Sequence, residues 1–221
     1  LFSFSHQYAQ PGPVGEDRMP EAKAKPEPNA EHPQRIDLPC AWYAREMETD
    51  TSWIWQFQPE HLDELDAALR ISKEKGLAEQ DVTKADFPLD GFAATLDALL
   101  EELEFGRGVV LMRGLPVEKY SVEDLRRMYW GIGTHMGRTM SQNIKGEHMQ
   151  EVRDHGFDYS KPEHRGSMTS AKLRPHCDIS DAVGLLCVRP SKSGGESTLC
   201  SSMTIYNEIF DHHPEMLPAA H

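Results

Sequence analysis

The 221-residue chain predicts an α+β fold. Two observations carry that expectation. Three stretches, Pro59 to Gly76, Gly91 to Glu104 and Ser121 to Gly137, repeat apolar residues at helical spacing. Three short runs rich in branched or aromatic residues, Trp53 to Phe57, Gly108 to Met112 and Ala182 to Val188, read as strands. Hydrophobic residues make up 38% and charged residues 27% of the chain, so it can build a core but is polar for a globular protein.

Residues 1–39 hold many of the 15 prolines, interleaved with Glu, Lys, Gln and His. So few branched apolar residues cannot offset the entropy of ordering the backbone, and the stretch predicts a flexible leader with Phe2 and Phe4 as candidates for docking. The folded part then begins near Cys40. The alternation of Trp53, Trp55 and Phe57 puts one apolar face on a short strand. Core packing explains those rings better than an aromatic box for a cation.

Pro59 suits a first-turn position, where its missing N–H costs nothing; Leu62, Leu65, Ala68 and Leu69 form one stripe, and Gly76 ends the helix. The second helix carries Phe92, Leu96, Leu99, Leu100 and Leu103, with Asp97, Glu101, Glu102 and Glu104 on a solvated face. Ser121 reads as an N-cap with Asp124 three residues on, and Leu125, Met128, Tyr129 and Ile132 carry the third helix into the core. Met140 to Asp154 predicts a hairpin turning at Lys145-Gly146.

The chemistry concentrates between Leu173 and Ser202. His176 and Asp178 are two residues apart, so on an extended segment an imidazole and a carboxylate share one face. They are two-thirds of a 2-His-1-carboxylate triad, which suits non-haem Fe(II) by leaving coordination positions open. The triplet alone is weak in a chain with 11 His and 36 acidic residues. Its context adds an apolar strand, Ala182 to Val188, a turn over Pro190 to Gly195, and a returning strand over Ser197 to Ser202.

Taken in order, these stretches resemble the TauD/TfdA-type Fe(II)/2-oxoglutarate-dependent dioxygenases. Gly108 to Pro116 is similar to an early strand and turn of that family. Ser141 to Gly156 and Gly166 to Asp178 resemble the approach to its iron motif. Gly194 to Ser202 resembles its glycine turn, and Met203 to Ile209 the helix after it. The resemblance implies a double-stranded β-helix, or jelly roll, with flanking helices, of which residues 40–221 form the N-terminal part.

The resemblance further implies Fe(II) held by His176 and Asp178 as catalytic metal ligands, with 2-oxoglutarate and O2 as co-substrates. Ser197 aligns with a hydroxyl or amide position that contacts the co-substrate, and Asn143 falls on the active-site side. Cys177 and Pro175 stand where the family commonly has Thr and Phe; neither is a ligand. The family's distal His ligand and its co-substrate Arg lie well downstream of the glycine turn, whereas this sequence ends at His221. The expected reaction is hydroxylation or oxidation of a small organic substrate with release of succinate and CO2. The alternative from another class is a truncated, non-catalytic homologue that acts as a binding or dimerisation module, since a jelly roll without its last strands has open edges for homo-oligomer contacts.

A formal charge of −13 argues against nucleic acid or an anionic membrane surface as partner. Cys40, Cys177, Cys187 and Cys200 form no CxxC pair, which fits reduced thiols and a cytoplasmic setting.

Overall fold

The computed structural model describes residues 2–5, 33–143, 145–153, 156, 172–178 and 180–219. Most of the expected leader, and His155 and His164 in the polar loop before the iron motif, lie outside the described residues.

The chain divides into two compact units. The first comprises Leu1–His6, Ile54–Glu101 and Leu111–Thr198. The second comprises Gln7–Trp53, Glu102–Val110 and Leu199–His221. In chain order the elements are β1 (Phe2–Ser5), α1 (Ala44–Thr49), β2 (Ile54–Gln56), α2 (Pro59–Glu74), α3 (Phe92–Phe105), β3 (Leu111–Arg113), α4 (Val122–Met136), β4 (Arg138–Thr139), β5 (Ala182–Gly184) and α5 (Ser202–His212). The architecture is mixed α and β, as expected, with short strands.

The helices of the first unit follow their sequence signals. Pro59 opens α2, Leu65, Ala68 and Leu69 bury its apolar stripe, and Gly76 follows in the left-handed region at φ 64°. The Glu64 carboxylate on α2 accepts from the Gly91 and Phe92 amides at 2.7 and 2.8 Å, so one helix supplies the N-terminal cap of the next. Ser121 caps α4 by accepting from the Asp124 amide at 3.0 Å. Lys73 on α2 donates to the Asp124 carboxylate at 2.6 Å, and this bond is the main cause holding that carboxyl below its usual pKa.

Leu65, Phe87, Leu89, Phe92, Leu96, Leu125 and Met128 are fully buried together in this unit. Each large apolar side chain contributes roughly 1.5–3 kcal/mol by leaving water. Trp55 packs on Phe57, His61 and Phe92 with ring centroids 4.9–5.6 Å apart, so the aromatic alternation is core packing, as expected.

The strands depart further from expectation. β2 and β3 pair in parallel, Ile54 with Leu111 through Gln56 with Arg113, so the strand predicted from Gly108 begins three residues later and includes Arg113. β1, within the stretch predicted as a flexible leader, is the centre of a three-stranded antiparallel sheet of order β4-β1-β5. The run predicted as a strand over Ala182 to Val188 is one only at Ala182–Gly184, where Phe2–Phe4 pairs with it. No returning strand forms over Ser197 to Ser202. Ser201 instead caps α5 by accepting from the Thr204 amide at 3.0 Å, and the helix has begun by Ser202. A cap satisfies orphan amides locally, whereas a strand there needs a partner.

In the second unit, α5 holds residues 35–43, which turn at Leu38–Ala41, through side chains. Asn207, 3% exposed, donates to the Ile36 carbonyl and accepts from the Ile36 amide, each at 2.8 Å. Ser201 donates to the Cys40 carbonyl, and Thr204 to the Trp42 carbonyl at 2.7 Å. Arg107 ties Glu102, Asp50 and Ser52 together.

Candidate functional site

The segment carrying the expected ligands, residues 172–178, belongs to no helix or strand. His176 and Asp178 nevertheless converge: Nε2 and Oδ1 lie 4.0 Å apart, with side chains 57% and 39% exposed. The His176 Nδ1 lies 2.8 Å from the Arg174 carbonyl oxygen. A carbonyl only accepts, so Nδ1 carries the proton and, in the neutral ring, Nε2 presents its lone pair on the side of Asp178. Fixing a ligand tautomer through a backbone carbonyl is the usual support for a metal-binding imidazole. Imidazole nitrogen and carboxylate oxygen are also the donor types that non-haem iron takes. The pair therefore fits a divalent iron; among the described residues, no group of three His, Cys, Asp or Glu side chains is placed to hold a metal.

Ser197 and Asn143, the residues expected to meet the co-substrate, are not drawn to this pair. Ser197 is exposed just after a glycine turn in which Ser191 donates to the Gly194 carbonyl, and Gly194 and Gly195 take φ values of 70° and 81°. Side chains rarely adopt that left-handed backbone, which is why two glycines stand there. Asn143 spends its side chain within its own turn. Its Oδ1 accepts from the Lys145 and Glu147 amides at 2.9 and 3.3 Å, and its amide nitrogen donates to the Glu147 carboxylate. The turn expected at Lys145-Gly146 is present, with the Gly146 amide donating to the Asn143 carbonyl at 3.0 Å. Among the described residues, no hydrogen bond joins Ser197 or Asn143 to His176 or Asp178.

A cleft of about 710 Å³ opens beside this turn, lined among others by Glu79, Arg126, Trp130, Thr139, His148 and Glu151. Arg126 grips Glu79 through two bonds of 2.8 and 3.2 Å. His148 is held by Thr139 Oγ1 at 2.9 Å and meets the edge of Trp130 at 5.9 Å. Little in the sequence marks this cleft. Its one signal is Arg126 and Trp130 one turn apart on α4, beside the apolar stripe rather than in it.

The family described as taurine catabolism dioxygenase TauD, TfdA family matches residues 70–220, more than half of the chain. The chain belongs to the TauD/TfdA family. The matched range takes in α3, β3, α4, the His176-x-Asp178 segment, the glycine turn and α5. FR-33289 synthase of Streptomyces rubellomurinus is 32% identical over 178 residues, 80% of this chain and 52% of that protein. The taurine hydroxylase-like protein SAT17 of Stachybotrys chartarum is 22% identical over 190 residues, 83% of this chain and 49% of that protein. The chain thus spans about half the length of these curated relatives. Among the described residues of this TauD/TfdA chain, no helix is long and apolar enough to cross a membrane.

Proposed function

We propose that this chain forms the Fe(II)-binding part of a 2-oxoglutarate-dependent dioxygenase of jelly-roll type. The reaction is hydroxylation or oxidation of a small organic substrate, with consumption of O2 and release of succinate and CO2. The observation that carries the reading is the His176–Asp178 pair, 4.0 Å apart with the histidine tautomer set by the Arg174 carbonyl, in a chain of the TauD/TfdA family. One relative is named taurine hydroxylase-like, which supports hydroxylation of a small molecule.

Fe(II), when bound, supplies the activation of dioxygen, which no amino-acid side chain can perform. The chain's own residues bind and orient. His176 offers Nε2 and stays aligned through Nδ1–H to Arg174, while Asp178 adds the neutralising carboxylate. Ser197 would donate its O–H to a carboxylate oxygen of 2-oxoglutarate. Asn143 would be the second co-substrate residue, its amide nitrogen being the donor that now meets the Glu147 carboxylate. The charge of −13 supports a small molecule rather than nucleic acid or membrane as partner, and cysteines without a CxxC pair support a cytoplasmic setting.

The test is anaerobic titration of the full-length protein with Fe(II) and then 2-oxoglutarate, followed by succinate release in air. His176→Ala is expected to weaken Fe(II) binding by more than about a hundredfold, beyond the 10–100-fold typical of outer-shell changes, and to abolish succinate release. Undiminished binding and turnover in that variant overturns the assignment.

A further inference from the structure

His135 stands in the last turn of α4 and is 8% exposed. Its Nε2 lies 2.7 Å from the Phe87 carbonyl oxygen, so Nε2 is the protonated nitrogen. Nδ1 is buried and has no hydrogen-bond partner among the described residues. The neutral ring tolerates this, since only a lone pair goes unmet. A protonated ring would add an N–H without an acceptor and a charge away from water.

The surroundings do little to shelter such a charge. Lys84, in the short turn Lys84–Asp86, opposes it, while Asp97 on α3 and Glu64 on α2 favour it. Glu64 is already committed to the Gly91 and Phe92 amides. Burial is the largest influence and holds the His135 pKa below its ordinary value.

Phe87 is keyed to α4 twice. Its carbonyl takes the His135 bond, and its ring lies so close to Gly131 that a Cβ there would come within 2.3 Å of it. Beyond Gly137 the chain enters β4, where Thr139 holds His148 at the wall of the cleft. We propose that His135 is an acid-sensitive latch: on protonation its ring leaves the core, gives up the Phe87 carbonyl, frees the last turn of α4 and slackens the Thr139–His148 wall of the cleft. The sign follows from burial. A histidine held neutral in the folded state keeps the latch closed above the unfolded value near 6.5, and stability is lost as pH falls below it towards the folded value.

The device is independent of the iron reading and is tested without metal. Hydrogen exchange on the full chain, corrected for the intrinsic pH dependence of exchange, is compared at pH 7.5 and about 5.5. Protection of the segments around residues 84–89 and 132–139 should fall by up to about tenfold at the lower pH, the most that one group with an unfolded value near 6.5 can give one unit below it. His135→Gln keeps a donor for the Phe87 carbonyl without a titrating ring and should lose that local pH response. Protection in the wild-type chain that does not change with pH overturns the latch, and so does an equal loss in H135Q. The wild-type comparison decides the matter alone if the variant does not fold.

Discussion

Asn207 and Gly131 show how single positions hold their units through partners far away in sequence. The Asn207 amide serves both backbone groups of Ile36, 171 residues away, as a neighbouring strand would. Asn207→Leu strands an N–H and a C=O in a partly buried place, and should cost about 2 kcal/mol. Urea denaturation checks this; a midpoint equal to that of the wild type would mean that water replaces the amide. Gly131 acts by what it lacks. Because Phe87 is fully buried and cannot swing aside, Gly131→Ala forces overpacking and should destabilise the chain by about 1–3 kcal/mol, read as a lowered melting temperature. Neither role was legible in the sequence, where Asn207 is one polar residue in a helix and Gly131 a propensity defect. The approach of His176 to Asp178 was legible because it needs only two residues of chain. The turn that engages the Asn143 side chain was placed correctly at Lys145-Gly146, but the engagement itself depends on Glu147 reaching back.

At the level of elements, helices and strands differed in legibility for a physical reason. A helix closes its hydrogen bonds within itself, so Pro59, Ser121 and the spaced leucines suffice to announce α2 and α4. A strand needs a partner, and β5 finds its partner in β1 about 180 residues away, inside a stretch whose composition predicted a flexible leader with only Phe2 and Phe4 as docking candidates. The same locality makes short turns predictable. Asp86 accepts from the Thr83 amide at 3.0 Å, closing the turn Lys84–Asp86, while Lys75 donates to its other oxygen at 2.7 Å. The Lys75 bond, followed by those from Thr83, lowers the Asp86 pKa to about 2. A depressed carboxylate pKa contributes stability that is present above the unfolded value of 3.8 and lost as pH falls through about 2. Titration of the Asp86 carboxyl by NMR should therefore find it ionised at pH 3. Because the pair is exposed, 1 M salt should move its pKa back towards 3.8. An unshifted carboxyl at low salt would mean that Lys75 does not stay on it.

For the molecule as a whole, the charge balance was the most directly legible property and has its own consequence. With 36 acidic against 23 basic side chains, even complete pairing of the cations would leave 13 carboxylates in excess. The ion pairs that do form, such as Lys73–Asp124, Lys75–Asp86 and Arg126–Glu79, sit in partly exposed places where each contributes roughly 0–1 kcal/mol. Long-range repulsion among the remainder acts at every distance within the screening length, about 30 Å at 0.01 M salt and about 8 Å at 0.15 M. The two effects respond to salt in opposite directions: screening relieves the repulsion and weakens the pairs. Since the excess charge is large and the pairs are weak, repulsion should win. The melting temperature at neutral pH is therefore expected to rise between 0.01 and 0.15 M sodium chloride. A fall over that range would show that the local pairs outweigh the net charge, and variants such as Lys73→Met would then cost more than the exposed-pair range allows.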